Sequence, residues 1–198
     1  MFSGLVEATT QILDIVAEQG GIRLVLERPP SFDDVSLGDS IAVQGCCLTV
    51  VDLAERAMGF QAGRETLAKT TLKLCEVGER LNVERSLALG ERLGGHLVTG
   101  HVDGEGRLQS RSDEAEWSTM VFSAPPRLMK QMASKGSITV DGVSLTLVEV
   151  TAETFSIALI PHTLQHTTLG ALGPGDVVNL ETDLLAKYVE RQYIFHRA

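Results

Sequence analysis

The sequence predicts an all-β fold: two tandem, similar domains, each a small antiparallel barrel or sandwich, followed by one C-terminal α-helix. Three observations lead there. The stretch Ser40–Val50 (SIAVQGCCLTV) reappears as Ser137–Leu147 (SITVDGVSLTL), an offset of 97 with six of eleven positions identical. Each copy is a run of short Val-, Ile-, Thr- and Leu-rich segments cut by glycines and prolines, without alternation of strands and helices. The tail after Asp183 lies outside both copies and changes to a helical pattern.

The repeat extends beyond its clearest segment. Thr66-Leu67 answers Thr163-Leu164, Thr70-Thr71-Leu72 answers Thr167-Thr168-Leu169, Gly78 answers Gly175 and Asn82-Val83-Glu84 answers Asn179-Leu180-Glu181. At the front Gly4 answers Gly100, an offset of 96. A period this long denotes two domains rather than a solenoid of short units. They fall at 1–95 and 96–183, each long enough for a modest core, with 184–198 as the tail.

Within the first copy, Leu5 to Val16 reads as a strand, Gln19-Gly20-Gly21 as a turn and Ile22–Leu26 as the hairpin partner. Pro29-Pro30 ends it, and Leu37-Gly38-Asp39 turns into a strand at 40–53. Val98 to Leu108, Thr119 to Phe122 and Ser137 to Thr151 play these parts in the second copy. Segments 64–72 and 161–169 leave room for a loop or one helical turn. Pattern alone does not separate a small antiparallel barrel from a sandwich, although closure removes the exposed edges of so small a sheet. In the tail Asp183 caps a helix from Leu184 to Phe195, with Leu184, Leu185, Tyr188, Val189 and Phe195 on an apolar stripe. A helix this short needs a partner surface. A neighbouring subunit and the chain's own two domains are both open.

Composition narrows the function classes. The chain is 43% hydrophobic and 22% charged, ordinary for a globular protein. No apolar run approaches the roughly 18–20 residues of a membrane helix, and the N-terminus does not read as a signal peptide, so no membrane partner is expected. A net charge of −9 without a basic cluster argues against nucleic acid. Cys46, Cys47 and Cys75 are an odd set, which fits free thiols in a reducing cytoplasm.

The repeated element holds the first candidate chemistry. Gly45 and Gly142 read as glycines inside strands, at a bulge or a close backbone approach. Cys47 and Ser144 occupy equivalent places, with Thr49 and Thr146 two residues on and so on the same face. Such a face either hydrogen-bonds a ligand or packs a barrel interior. His96 and His101 lie among glycines, where an accessible imidazole suits proton transfer or a turn hydrogen bond. His162 and His166 lack a third ligand, so no metal is expected. Lys135, just before the second repeated strand, is either solvated or set against a carbonyl or anion.

These motifs, taken in order, resemble one family. Met1-Phe2-Ser3-Gly4-Leu5-Val6, Gly45–Val50, Gly94-Gly95-His96, Gly100–Gly104, Asp141–Thr146, Ile160–Leu164 and Val178–Glu181 are similar to those of the riboflavin synthases of the alpha-chain type, a duplicated lumazine-binding β-barrel family. Ser3 and Gln44 depart from the usual Thr and Asn. The resemblance implies two similar six-stranded Greek-key barrels and a C-terminal helix that assembles a homotrimer, with each working site between the N-terminal barrel of one subunit and the C-terminal barrel of the next. It implies transfer of a four-carbon unit between two molecules of 6,7-dimethyl-8-ribityllumazine, yielding riboflavin and 5-amino-6-ribitylaminouracil. No metal or organic cofactor is implied. Association with a lumazine synthase shell stays open.

Carried over by motif, the first pocket comprises Gly4, Leu5 and Val6, Cys47, Leu48 and Thr49, and Gln61, Ala62, Gly63, Arg64, Glu65 and Thr66. The second comprises Gly100, His101 and Val102, Lys135, Ser144, Leu145 and Thr146, and Ile160, Pro161, His162, Thr163, Leu164 and Gln165. Backbone groups would read the heterocycle's edge, while hydroxyls and Glu65 would take the ribityl chain. The expected catalytic set is Cys47, His101, Ser144 and Thr146. His101 moves a proton, and Ser144 and Thr146 orient the ligand or relay protons. Cys47 either adds to ring carbon 7 or lines the pocket while water adds. The alternatives are a non-catalytic lumazine- or flavin-binding antenna protein and a ligand-free interaction module.

Overall fold

A computed structural model describes residues 1–195, with nothing to be said of the Phe195 side chain. The first copy contributes β1 (Ala8–Glu18), β2 (Gly21–Glu27), β3 (Ser40–Val43), β4 (Cys46–Leu53), β5 (Ala57–Gly63), α1 (Arg64–Lys69), a 3-10 turn (Thr71–Leu74) and β6 (Arg80–Arg85). The second contributes β7 (Gly104–Glu114), β8 (Trp117–Ser123), α2 (Pro126–Met129), β9 (Ser137–Val140), β10 (Val143–Val150), β11 (Thr154–Leu159), α3 (Pro161–His166), a 3-10 turn (Thr168–Ala171) and β12 (Val177–Thr182). The chain ends in α4 (Leu184–Phe195).

Each copy closes into a six-stranded antiparallel barrel, in the order β1-β2-β5-β4-β3-β6 and, equivalently, β7-β8-β11-β10-β9-β12. Closure leaves no free sheet edge. Alternation then sorts the side chains. In β4 Cys46, Leu48 and Val50 point into the barrel while Cys47 and Thr49 point out. The interior is a packed apolar core, with Leu24, Leu26, Met58 and Phe60 in the first barrel and Leu108, Phe122, Phe155 and Ile157 in the second. Phe122 and Phe155 stack at 5.4 Å.

Two sequence readings are corrected. Gly45 and Gly142 are not within strands. The stretches 40–53 and 137–151 each fold as two strands joined by a two-residue hairpin turn, Gln44-Gly45 and Asp141-Gly142. Both residues of each turn have positive φ, 48° and 79° in the first and 49° and 82° in the second. That geometry matches the right-handed twist of the flanking strands. The two tips also meet: a Cβ on Gly45 would lie 2.6 Å from the Gly142 nitrogen. The close backbone approach is therefore between the domains. Secondly, residues 2–7 and 98–103 precede their first strands as extended arms, because Gly4 (φ 77°) and Gly100 (φ 76°) turn the chain.

Around the tips the barrels hold one another by paired bonds. Asn82 Nδ2 donates to the Asp141 carbonyl at 2.9 Å, and Asn179 Nδ2 to the Gln44 carbonyl at 2.8 Å. Their Oδ1 atoms accept from Thr168 N and Thr71 N. Gln44, which departs from the family pattern, thus belongs to the contact between domains: its Nε2 donates to Thr168 Oγ1 of the second barrel at 3.3 Å, while its Oε1 accepts from Asn82 N of its own barrel at 2.9 Å.

Helix α4 starts with Asp183 Oδ1 accepting from Leu185 N at 2.9 Å. Its polar side meets the second barrel through Lys187–Asp103 at 2.8 Å and Gln131–Glu190. Leu184 is half-buried, whereas Leu185, Tyr188 and Val189 stay more than 60% exposed and are not buried against the chain's own two domains; the Phe195 side chain of the expected stripe lies outside the described residues.

Candidate functional site

The reactive-type side chains sit outside the barrels. Cys47 and Thr49 project from the outer face of β4, Ser144 and Thr146 from that of β10. The interior positions are taken by apolar side chains, so a ligand must use the outer face. β4 pairs antiparallel with β5, with Val50 opposite Phe60, which places the Cys47 end of β4 beside the Gly63 end of β5. There α1 starts, carrying Arg64, Glu65 and Thr66, and Leu67 packs on the first core. The second copy repeats this with β10, β11 and α3, and Leu164 packs on the second core.

The arms exchange places. Gly4 accepts a hydrogen bond at its carbonyl from Ser144 N at 2.7 Å, and Val6 packs against the second core. Gly100 accepts from Cys47 N at 2.8 Å, and Val102 packs against the first core. Phe2 and Val98 pair back to back where the arms cross. The grouping expected from sequence is therefore reversed: Gly4, Leu5 and Val6 border Ser144, whereas Gly100, His101 and Val102 border Cys47. The repeat made each arm look like part of its own domain, and a sequence carries no mark of a segment crossing to its twin.

His96 is the residue that motif reading noticed but did not place. Its Nδ1 lies 2.7 Å from Ser144 Oγ, and its Nε2 is buried without a protein hydrogen-bond partner. Burial pushes its pKa down, against a smaller opposing pull from Asp183, so the neutral imidazole prevails at neutral pH. No counterpart exists in the first copy, since His96 precedes the segment that repeats. His101 is exposed on its arm. Cys46 is a buried and Cys75 a half-buried thiol, both pushed up to about 12, mainly by desolvation, and both remain protonated.

Other expected residues divide. Ala62 is buried and Gln61 turns outward to bond Glu18 Oε2 at 2.7 Å. Lys135 is exposed in a left-handed turn (φ 69°) ahead of β9. His162 and His166 stack at 4.1 Å, and among the described residues no group of three metal-ligating side chains occurs. A separate cleft of about 830 Å3 opens between the barrels near Gln44, Cys75, Arg80 and Thr168, and shares only Leu164 and Gln165 with the expected site.

The model of the lumazine binding domain matches twice, at residues 3–86 and 99–183, and the chain belongs to that family. Among curated proteins it is 43% identical to the riboflavin synthase of Mycobacterium tuberculosis over 195 residues, covering 96% of this chain and 97% of that one. It is 39% identical to the riboflavin synthase of Brucella abortus, with 96% and 97% covered, and 38% identical to that of Bacillus subtilis, with 100% and 91% covered. Among solved structures it is similar to LumP complexed with riboflavin, with a TM-score of 0.86, 27% identity and 92% and 99% of the chains covered. It is also similar to LumP complexed with 6,7-dimethyl-8-(1'-D-ribityl) lumazine, with a TM-score of 0.84, 26% identity and the same coverage.

Proposed function

We propose that this chain is a riboflavin synthase, an enzyme that converts two molecules of 6,7-dimethyl-8-ribityllumazine into riboflavin and 5-amino-6-ribitylaminouracil. The observation that carries the reading is a pair of outer strand faces, each met by a crossing arm, with one backbone plan and unequal side chains. One has Cys47, Thr49 and His101, the other Ser144, Thr146 and His96. A reaction between two copies of one compound needs two like sites, and the unequal roles of donor and acceptor need those sites to differ. Full-length relatives of 38–43% identity named riboflavin synthase support the same conclusion.

The proposed first site is Cys47, Leu48, Thr49 and Gln61 to Thr66 with the arm Gly100, His101 and Val102. The second is Lys135, Ser144, Leu145, Thr146 and Ile160 to Gln165 with the arm Gly4, Leu5 and Val6, joined by His96. The lumazine 7-methyl group is acidic because its anion delocalises into the ring, so a neutral imidazole is base enough. His101 and the His96–Ser144 pair are the candidates for that proton. Holding two heterocycles face to face supplies much of the rate by removing their relative freedom. The functional division is 1–95, 96–183 and 184–198. The bare apolar face of α4 supports its role in a homotrimer in which the first barrel of one subunit faces the second of the next. The chemistry asks for no cofactor, and the reduced cysteines suit the cytoplasm.

The test is to mix the purified protein with the lumazine alone. Flavin absorbance should appear at one riboflavin per two lumazines consumed. Ligand binding without flavin would favour a non-catalytic binding protein, the reading that the LumP likeness keeps in view.

A further inference from the structure

We propose that Glu84 and Glu181 are positioning residues that act crosswise, each anchoring the arm that completes the other barrel's pocket. The inference rests on the reading of those pockets as lumazine sites. Glu84 stands on β6 of the first barrel and is buried. Its Oε1 accepts from Ser3 N at 2.7 Å and Ser3 Oγ at 2.8 Å, and its Oε2 from Gly4 N at 3.0 Å. The carbonyl of that same Gly4 receives Ser144 N of the second barrel. Glu181, on β12, repeats the arrangement. It accepts from Thr99 N at 2.8 Å, Thr99 Oγ1 at 2.6 Å and Gly100 N at 2.9 Å. The Gly100 carbonyl receives Cys47 N of the first barrel.

The chemistry calls for a carboxylate. Three neutral donors converge on two oxygens, an arrangement that an ionised acid satisfies entirely with acceptors. A glutamine, whichever way it is turned, sets its NH2 against at least one of these donors. Burial without a cation raises the cost of the charge, and the Glu84 pKa is accordingly pushed up by desolvation against the pull of its Ser3 and Gly4 bonds. The arms also have no slack toward the strands they meet. A Cβ on Gly4 would stand 2.6 Å from Ser144 Cβ, and one on Gly100 2.6 Å from Cys47 Cβ. Releasing Glu84 therefore unseats Leu5, Val6 and the Ser144 side of the second pocket. Releasing Glu181 unseats His101, Val102 and the Cys47 side of the first.

The experiment uses the full chain and two readouts. In amide hydrogen exchange without ligand, Glu84→Gln should speed exchange at Ser144 N roughly 10- to 100-fold and leave Cys47 N unchanged, as expected for lost charge-assisted bonds. Glu181→Gln should do the reverse. In iodoacetamide labelling of Cys47, saturating riboflavin should still protect Glu84→Gln and should fail to protect Glu181→Gln. Should a glutamine variant not fold, Ser3→Ala and Thr99→Ala each remove one donor and should give the same crosswise pattern at smaller amplitude. Effects confined to the mutated residue's own barrel, or equal at both amides, overturn the proposal. Riboflavin failing to protect Cys47 in the unaltered protein would count instead against the lumazine reading, and the exchange data would still decide the crosswise anchoring.

Discussion

The two barrels share a frame and differ in what the frame carries. Strand order, the left-handed hairpin tips, the reciprocal asparagines and the carboxylate-anchored arms recur at matching positions. At the tips and the two candidate sites the copies differ: Gln44 against Asp141, Cys47 against Ser144, Leu5 against His101, Glu65 against His162, and His96 with no twin. Duplication preserved the bonds that position backbone, where both copies face the same geometric demand. Side chains free of that demand diverged, those at the two candidate sites among them.

The largest effect comes from breaking the contrast at the tips. Asp141 is fully buried and its pKa is raised to about 7 by desolvation, despite bonds from Asn179 N and the Gln44 side chain. Its neutral twin Gln44 bears no such penalty. A folded-state value above the ordinary 3.8 means that the folded chain holds the proton more tightly than the unfolded one. The associated stability is fully present below about pH 4 and is lost as pH rises toward about 7. Asp141→Asn keeps an acceptor for Asn179 N and removes the charge. It should match the parent near pH 4 and exceed it by about 4 kcal/mol at pH 8, at about 1.36 kcal/mol per unit. Urea unfolding at both pH values checks this, and an equal offset at both would refute it.

Next is the contrast between the histidines. His96→Gln should lower kcat roughly 100-fold, the lower range for a lost general base. It should also remove an acid limb lying below pH 6.5, since burial moves His96 downward. His101→Gln tests the first pocket in the same way, and is expected to lower kcat with a change in pH dependence. Unchanged rate and pH profile would take His101 out of proton transfer and leave His96 with Ser144 as the pair that handles it. Steady-state rates between pH 5 and 9 separate these outcomes.

How much of this was legible in sequence depends on the distance over which each feature is encoded. Duplication, the all-β class and the Asp183 cap were readable, while segments 64–72 and 161–169 read as a loop or one helical turn and fold as short helices. Gly45 and Gly142 were recognised as special, but a glycine flanked by β-formers reads equally as a strand bulge or a hairpin tip. Asp141-Gly142 does carry a hairpin signature, since Asp-Gly favours the left-handed pair of such a turn, whereas Gln44-Gly45 carries none of its own and shares the turn only through the repeat. The exchange of arms was not readable at all, because Gly4 and Gly100 lie in near-identical surroundings and either barrel would suit either arm. Likewise Glu84 and Glu181 looked like matching repeat positions, and their convergent donors come from residues about eighty positions away.

The smallest effect is expected from making the pockets more alike. Cys47→Ser gives the first barrel the hydroxyl of its twin while keeping the Cys47 backbone N–H on the Gly100 carbonyl. If the thiol only lines the pocket, kcat should stay within about tenfold of the parent, because serine preserves size and hydrogen bonding. If a thiolate must add to the ring, the loss should be far larger, since an alkoxide is not accessible at neutral pH without a dedicated base. The bond to Gly100 already commits the strand here to positioning the arm. We therefore expect the conservative outcome. Single-turnover formation of riboflavin, with Ser144→Cys as the reciprocal variant, measures it: comparable rates in both would place the inequality of the two sites in their histidines rather than in the sulfur.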